Sequence, residues 1–399
     1  MALRPAGVAA ASDTKVRDSV GVLLVAVLLS APSITRADGL ETGILDRPHS
    51  FQIESARLRY TFFDQSGHGY QSLALGPRFG PGSEQMSVSQ AQLEIVAKQG
   101  ENITHRIWVP VDIISAASPD AIDAVSKASR YQEAGALDIA STFKVDRNDE
   151  LTTRFSAHLE ENFRSWSFGL GWTRHLADDN AVVQASLHQT MDWFDAYNLG
   201  GSNRDRVGRS TTNVSVSFTQ ILSPTTVGNL NYGLTIQSGE LSNTWNTVPL
   251  VSGDHGEEIL PSRRYRHALV GKLIQALPWN ASAKLSYRFY IDSWGALAQT
   301  IEAFLYQRIT RFLYARATYR AHIQKGVDFF TELAPLGDGY RTADSDLANF
   351  VAHTWGVKLA LDMPLRKLRG FGLDLAFERY TRSNDLQVNV YSTSLGFQF

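Results

Sequence analysis

Polar and apolar residues alternate one by one over long stretches of this chain. In 281–292, Ala281, Ala283, Leu285, Tyr287, Phe289 and Ile291 interleave with Ser282, Lys284, Ser286, Arg288, Tyr290 and Asp292. In 313–324, Leu313, Ala315, Ala317, Tyr319, Ala321 and Ile323 interleave with Tyr314, Arg316, Thr318, Arg320, His322 and Gln324. Trp166, Phe168, Leu170 and Trp172 stand against Ser165, Ser167, Gly169, Gly171 and Thr173. Phe371, Leu373, Leu375 and Phe377 stand against Gly372, Asp374, Ala376 and Glu378. Successive side chains of a strand point to opposite faces, so each segment has one greasy and one polar face.

Sixteen such segments follow one another: 53–63, 86–97, 102–114, 136–146, 151–162, 164–176, 181–194, 210–222, 226–238, 264–277, 281–293, 298–310, 312–324, 348–362, 370–382 and 386–399. The connections between them sort by parity. The long ones, 64–85, 115–135, 195–209, 239–263 and 325–347, are all odd-numbered, and every even-numbered connection is short. A sandwich has no reason to sort its loops this way. An outer-membrane barrel does, with short periplasmic turns on one rim and long extracellular loops on the other. The expected fold is therefore all-β: a transmembrane antiparallel β-barrel of about 16 strands.

A sheet in hydrocarbon has to close, because each unpaired backbone group at an edge costs several kcal/mol. The final strand then pairs with the first. Its outward face, Leu395, Phe397 and Phe399, meets lipid near the periplasmic rim. Leu386, Val388 and Val390 hold the opposite phase, which reads as a bulge near the outer turn. Aromatic belts are expected at both interfaces. Phe371, Trp172, Trp279 and Phe399 would mark the inner one, and Trp166, Trp193, Tyr60 and Phe62 the outer one.

One apolar run, Val20 to Ala31, follows Lys15 and Arg17 and precedes Thr35-Arg-Ala-Asp38. It is too short to span a ~30 Å core and reads as a secretory signal peptide over 1–37, with a single barrel domain over 38–399. Of the 399 residues, 38 are Lys or Arg and 40 are Asp or Glu, which gives no basic field for nucleic acid. There is no Cys, which excludes thiolate metal sites, disulfides and a Cys nucleophile and suits an exported chain.

The polar strand faces point into the barrel, so candidate pore-lining residues follow directly. They are Lys284, Arg288, Glu302, Arg308, Arg316, Arg320, His322, Lys358, Asp362, Asp374 and Glu378. The eleventh to fourteenth strands present a mostly basic wall and the fifteenth an acidic one. Opposed walls would bias ion passage; the alternative is a ladder of pairs that stiffens or plugs the barrel.

Loop 325–347 carries Asp328, Glu332, Asp338, Asp344 and Asp346. Its spacing fits no calcium loop, so it reads as a solvated acidic surface, with Phe329 and Phe330 folding inward over the mouth. His158, His188 and His322 lie on polar faces, but a Ser–His–Asp relay drawn among so many polar residues carries little weight. No metal site, cofactor or enzymatic activity is expected.

Two stretches carry a resemblance: Arg266-His-Ala-Leu269 leading into Leu285-Ser-Tyr-Arg-Phe-Tyr-Ile-Asp-Ser-Trp-Gly295, and Ala317-Thr-Tyr-Arg320 leading into Tyr340-Arg-Thr-Ala-Asp-Ser-Asp-Leu347. The chain resembles a family of uncharacterised Gram-negative outer-membrane proteins, a domain of unknown function, over roughly 40–399 and most specifically in 263–360. That resemblance implies an exported β-barrel and supplies no activity. The last strand is similar to the terminal signal read by the barrel-assembly machinery, through Leu395, Phe397 and Phe399.

The expected function is a passive pore or selective channel for small polar or ionic solutes. The alternative is a loop-plugged barrel acting as a scaffold or docking partner for a periplasmic or surface component. The expected partners are outer-membrane lipid and lipopolysaccharide, the assembly machinery and an unidentified periplasmic protein, with no nucleic acid.

Overall fold

The computed structural model describes residues 51–67, 85–115, 131–160, 162–197, 203–242, 247–365 and 368–399. The leader and most of loops 64–85 and 115–135 lie outside the described residues.

The strands are β1 (Phe51–Gly67), β2 (Met86–Gln99), β3 (Ile103–Ser115), β4 (Tyr131–Lys144), β5 (Asp149–Glu160), β6 (Phe163–Leu176), β7 (Ala181–Tyr197), β8 (Asn203–Ser223) and β9 (Thr226–Gly239). After a short hairpin, β10 (Thr247–Pro249) and β11 (His255–Glu257), come β12 (Arg263–Leu277), β13 (Ala281–Asp292), β14 (Leu297–Arg308), β15 (Leu313–Lys325), β16 (Phe350–Leu365), β17 (Leu368–Arg382) and β18 (Leu386–Gln398). All but β10 and β11 form one closed barrel of sixteen strands, each antiparallel to its neighbours. Each of the sixteen segments of the hydrophobic pattern corresponds to one barrel strand.

Closure is made by β1 and β18, in register from Ser55–Gln398 to Gly67–Leu386. The N–H of Phe399 donates to Glu54 O at 2.9 Å, which extends the seam by one bond. Leu395 faces outward, and Phe397 packs on Phe371 of β17 at 5.7 Å between ring centroids. On the rim where β1 begins, every connection is two to four residues long. The two longest described connections, 240–262 and 326–349, lie on the other rim.

The outward face is apolar and bare. Leu230, Leu285, Val357, Leu359 and Leu375 are each at least half exposed, and they belong to a band that circles the barrel. A soluble monomer rarely shows a contiguous apolar patch beyond a few hundred Å². Such a girdle is stable against acyl chains and not against water.

Four outward tyrosines lie in the part of the band nearer the long-loop rim. The hydroxyl of Tyr60 donates to Ser89 Oγ at 3.1 Å and that of Tyr287 to Gln299 Oε1 at 3.0 Å. Those of Tyr232 and Tyr319 share hydrogen bonds with Nδ1 of His267 and His353, at 2.8 and 2.9 Å. In all four the partner stands opposite the residue two positions further along the tyrosine's strand, on the long-loop side. Each ring lies on the apolar band and its polar tip points out of it, the arrangement that suits tyrosine at a bilayer boundary.

Above this level the outward face of β1, β17 and β18 turns polar, while Ile291 on β13 and Ile323 on β15 keep it apolar further up. Asp64, Arg379, Gln387 and Asn389 are outward there, and Arg379 donates to Gln387 Oε1 at 2.7 Å. Leu386 and Val388 are turned inward and buried. The bulge expected near Val390 is therefore absent: β18 keeps continuous register with both β1 and β17. The environment changes side while the backbone stays regular.

The same cause lengthens several strands beyond their apolar segments. β8 starts at Asn203, well before the expected 210, so most of the expected loop 195–209 is hairpin. Its extension is held by the Arg206–Asp195 pair (3.1 Å) outside and the Arg209–Asp192 pair (2.8 Å) inside. Beyond the bilayer a strand needs no greasy face, so it leaves no alternation to read.

Candidate functional site: the lumen wall and its outer cap

Inward positions follow from strand pairing. Lys284 and Arg288 on β13, Glu302 and Arg308 on β14, and Arg316, Arg320 and His322 on β15 share the inward face. So do Lys358 and Asp362 on β16, and Asp374 and Glu378 on β17. Their partners divide them into two groups.

One group is neutralised. Lys358 Nζ donates to Asp374 Oδ2 at 2.8 Å, and Ser394 Oγ donates to the same oxygen at 3.0 Å. Arg316 donates to Glu378 Oε1 at 3.1 Å. The acidic strand β17 adjoins β16, so its carboxylates meet nearby cations along the wall. They do not face the basic strands across the lumen as opposed walls would.

The other group has no carboxylate of the described residues within 4 Å. On β12–β17 it comprises Arg266, Lys272, Lys284, Arg288, Arg308 and Arg320, against Glu302 and Asp362. Lys284 Nζ sits 4.3 Å from the Phe304 ring centroid, and Arg288 stacks over Tyr290 at 5.7 Å. Cation–π contacts hold a side chain in place without cancelling its charge. This arc of wall therefore carries net positive charge.

The wall on β6–β9 has a different character. Around the middle of the wall its inward residues include small or neutral ones: Gly169, Gly171, Ser186, Ser215, Ser217, Asn229 and Asn231. Asn229 donates to Ser217 Oγ and Thr219 Oγ1 at 3.0 and 2.8 Å, and Asn231 donates to Ser215 Oγ at 3.0 Å. Because these side chains are short, a cavity of about 690 Å³ opens beside them, and Lys272 and Lys284 on the adjoining strands β12 and β13 continue its lining. Gly169 gives way to His188: a Cβ there would stand 2.2 Å from the imidazole Nδ1.

Sequence reasoning did not single out this region, because it followed charge. The available signal was the run of small polar residues at alternate positions of 210–231. Lys272 was missed because its inward neighbours Ala268, Val270 and Ile274 are apolar and hide the alternation of β12.

Loops 240–262 and 326–349 fold together at the long-loop rim. Strands β10 and β11 pair, Ala334 N donates to Pro249 O (2.8 Å), and Ile259 and Arg341 exchange backbone hydrogen bonds of 3.0 and 2.9 Å. Val248, Ala334 and Ala343 form a small dry core against Leu250. Phe329 and Phe330 join Trp294, Ala296 and Val327 in a second core.

The loops are tied to inward side chains of the barrel. Arg382 on β17 binds Asp346 and donates to Ser345 Oγ (2.8 Å), while its guanidinium stacks over Phe350 at 4.8 Å. Gln324 on β15 donates to the carbonyls of Asp346 and Ala348. The loop acids are thus spent on separate partners: Asp328 on Lys325 (2.9 Å), Asp346 on Arg382, and Asp344 capping the 3-10 turn Ser345–Leu347. His158, His188 and His322 are likewise dispersed: His158 contacts Glu160, His322 contacts Thr300, and His188 covers Gly169.

The turn Asp292-Ser-Trp-Gly295 anchors the cap to β12 and β13. Asp292 Oδ2 accepts from Arg264 Nε and from the Tyr290 hydroxyl, both at 2.8 Å. Its Oδ1 accepts from the backbone N–H groups of Trp294 (2.9 Å) and Ala296 (3.1 Å). Trp294 lies over the Arg264 guanidinium at 4.1 Å and donates Nε1–H to Arg263 O at 2.9 Å. Gly295 adopts φ +85°, and a Cβ there would fall within 2.4 Å of the Asp328 carboxylate, so only glycine fits.

The closed sixteen-strand barrel, its bare apolar girdle and its polar interior define a porin-like membrane β-barrel of the outer-membrane type. The chain belongs to the family described as protein of unknown function (DUF3570), whose model matches residues 157–397. No curated protein matches it.

Solved structures resemble it at low identity. A BenF-like porin from Pseudomonas fluorescens Pf-5 is 7% identical, with a TM-score of 0.45, covering 87% of this chain and 99% of that one. OccK9 (OpdG) of Pseudomonas aeruginosa is 11% identical, with a TM-score of 0.44, covering 88% and 99%. The siderophore receptor PirA from Acinetobacter baumannii is 8% identical, with a TM-score of 0.44, covering 83% of this chain and 53% of that one.

Proposed function

We propose that this protein sits in the bacterial outer membrane and passes small polar and anionic solutes passively through its lumen. The observation that carries this reading is the excess, among the described residues, of inward cations on β12–β17 with no carboxylate within 4 Å, beside a stretch of lumen wall on β6–β9 made of small neutral residues. Sixteen strands leave room for an aqueous path, and unneutralised charge on a wall of low dielectric raises the local concentration of counter-ions. No catalytic role is assigned to any residue.

In this reading lipid and lipopolysaccharide cover the girdle, and the short turns face the periplasm. The strand ending in Leu395, Phe397 and Phe399 is the segment offered to the barrel-assembly machinery. Membrane fractionation tests the location, and swelling of proteoliposomes tests the path. Rapid swelling in a small sugar acid supports a pore, and no swelling in any solute below about the size of a disaccharide overturns it.

The interlocked loops 240–262 and 326–349 favour a second reading, in which the cap closes the barrel and the protein serves as a docking scaffold. Removal of 328–344 separates the two. Under this reading only the shortened protein swells; under the first the wild type already does.

A further inference from the structure

The cavity between β6–β9 and the two lysines has a composition that the general charge of the wall does not explain. Among the described residues that line it, none is Asp or Glu. Arg154, at its edge, is already matched by Asp138 at 2.6 Å. Lys272 and Lys284 are different. Lys272 pairs with Ser286 and Lys284 with Ile274, so the two lysines are diagonal neighbours on one inward face of β12 and β13. Like charges so placed repel, and no carboxylate of the described residues reaches either.

Neutral donors continue this patch without a break. Asn229 lies directly opposite Lys272 across the β9–β12 pair. Its amide and that of Asn231 donate to the oxygens of Ser217 and Ser215. Those hydroxyl groups, having accepted, keep their own protons free to donate into the cavity. One wall therefore offers two ammonium groups, then amides, then hydroxyls. The volume of about 690 Å³ lies within the range of small-molecule sites.

We infer that this cavity is a subsite for a small hydroxylated anion, a polyol bearing a carboxylate or a phosphate. The anion is held by Lys272 and Lys284, and its hydroxyl groups by Ser215, Ser217 and Asn229. The inference rests on the reading of the lumen as a solute path and adds the class of solute that pauses there. Bound anion relieves the repulsion between the lysines. A neutral polyol of the same size leaves that repulsion in place and binds less well.

The test is block of single-channel current in planar bilayers containing the full-length mature protein, with gluconate, glycerol phosphate or sorbitol added to the chloride bath. Block by gluconate or glycerol phosphate, with sorbitol inert, supports the subsite, and the more potent anion identifies the head group. Lys272→Gln and Lys284→Gln should each raise the half-blocking concentration about tenfold, the loss of one charged hydrogen bond. Open channels that neither anion blocks, or that sorbitol blocks equally, overturn the subsite while leaving the pore intact.

Silent wild-type protein overturns the pore instead. Calorimetric titration of the detergent-solubilised barrel then decides the site: heat from gluconate and none from sorbitol retains it, and no heat from either anion removes it. If a glutamine variant fails to fold, the comparison of gluconate with sorbitol on the wild type still decides.

Discussion

Arg264 and Asp292 form an ion pair sealed from water beneath the Trp294 indole, with side-chain exposures of 7% and 0%. The pair joins β12 to β13 where the outer cap begins, and every oxygen lone pair of Asp292 that the turn needs is used. Breaking a buried pair from one side leaves a bare charge and costs about 3–5 kcal/mol. Asp292→Ala should therefore destabilise the refolded barrel by about that amount, as measured by urea unfolding in lipid vesicles. It should also free 326–349 for proteolysis. Wild-type unfolding and cleavage would show that the pair is incidental.

Arg316 and Arg320 are both inward on β15, but among the described residues only Arg316 has a carboxylate, Glu378, within 4 Å; Glu302, opposite Arg320 in register, makes no such pair. Arg320→Glu should shift ion preference toward cations with little change in stability. Exchanging the charges of the Arg316–Glu378 pair (Arg316→Glu with Glu378→Arg) should leave preference nearly unchanged. Equal shifts in both variants, read as bilayer reversal potentials, would contradict the division into paired and unpaired cations.

The His188 ring occupies the space that a side chain at 169 would need. Gly169→Ala should cost about 1–3 kcal/mol through overpacking. Shortening the neighbour in the double variant Gly169→Ala, His188→Ala should recover most of that loss, because contacting residues couple. Additive losses in urea unfolding would mean that the ring does not hold this position.

Asp146 closes the exposed turn between β4 and β5, where its Oδ1 accepts from the N–H groups of Asn148 (2.7 Å) and Asp149 (2.9 Å). The backbone N–H of Asn148, and then that of Asp149, hold its carboxyl below the ordinary aspartate value of 3.8. A depressed folded pKa stabilises above the unfolded value, and the gain is lost as pH falls through the folded one. Protection of the Asn148 and Asp149 amides against exchange should be lost in the wild type only as pH falls through the depressed Asp146 pKa. In Asp146→Ala exchange should already be quick, relative to neighbouring turns, at neutral pH.

Alternation carried the barrel wherever lipid lies outside, as in β13 and β15, since one face must be greasy and the other wet. It failed where that contrast ends. Gln387 and Asn389 point outward into water above the tyrosines while Leu386 and Val388 point in, which imitated a bulge. Residues 205–208 on β8 lie beyond the apolar band and left no pattern at all. Charge patterning found Arg320 and Lys358 but could not tell that only the second has a partner, because pairing depends on which strands adjoin. The hydroxyl and amide wall around Ser217 and Asn229 passed as ordinary strand polarity. The mutual packing of loops 240–262 and 326–349 joins residues far apart in sequence, and no local pattern encodes it.

The account turns on whether water and ions cross the barrel, and in which sense the lumen sorts them. A planar bilayer holding purified protein between unequal concentrations of potassium chloride answers both. Steady conductance steps whose reversal potential lies on the chloride side are predicted from the unpaired inward cations. Absence of steps, or a reversal potential on the potassium side, would contradict it.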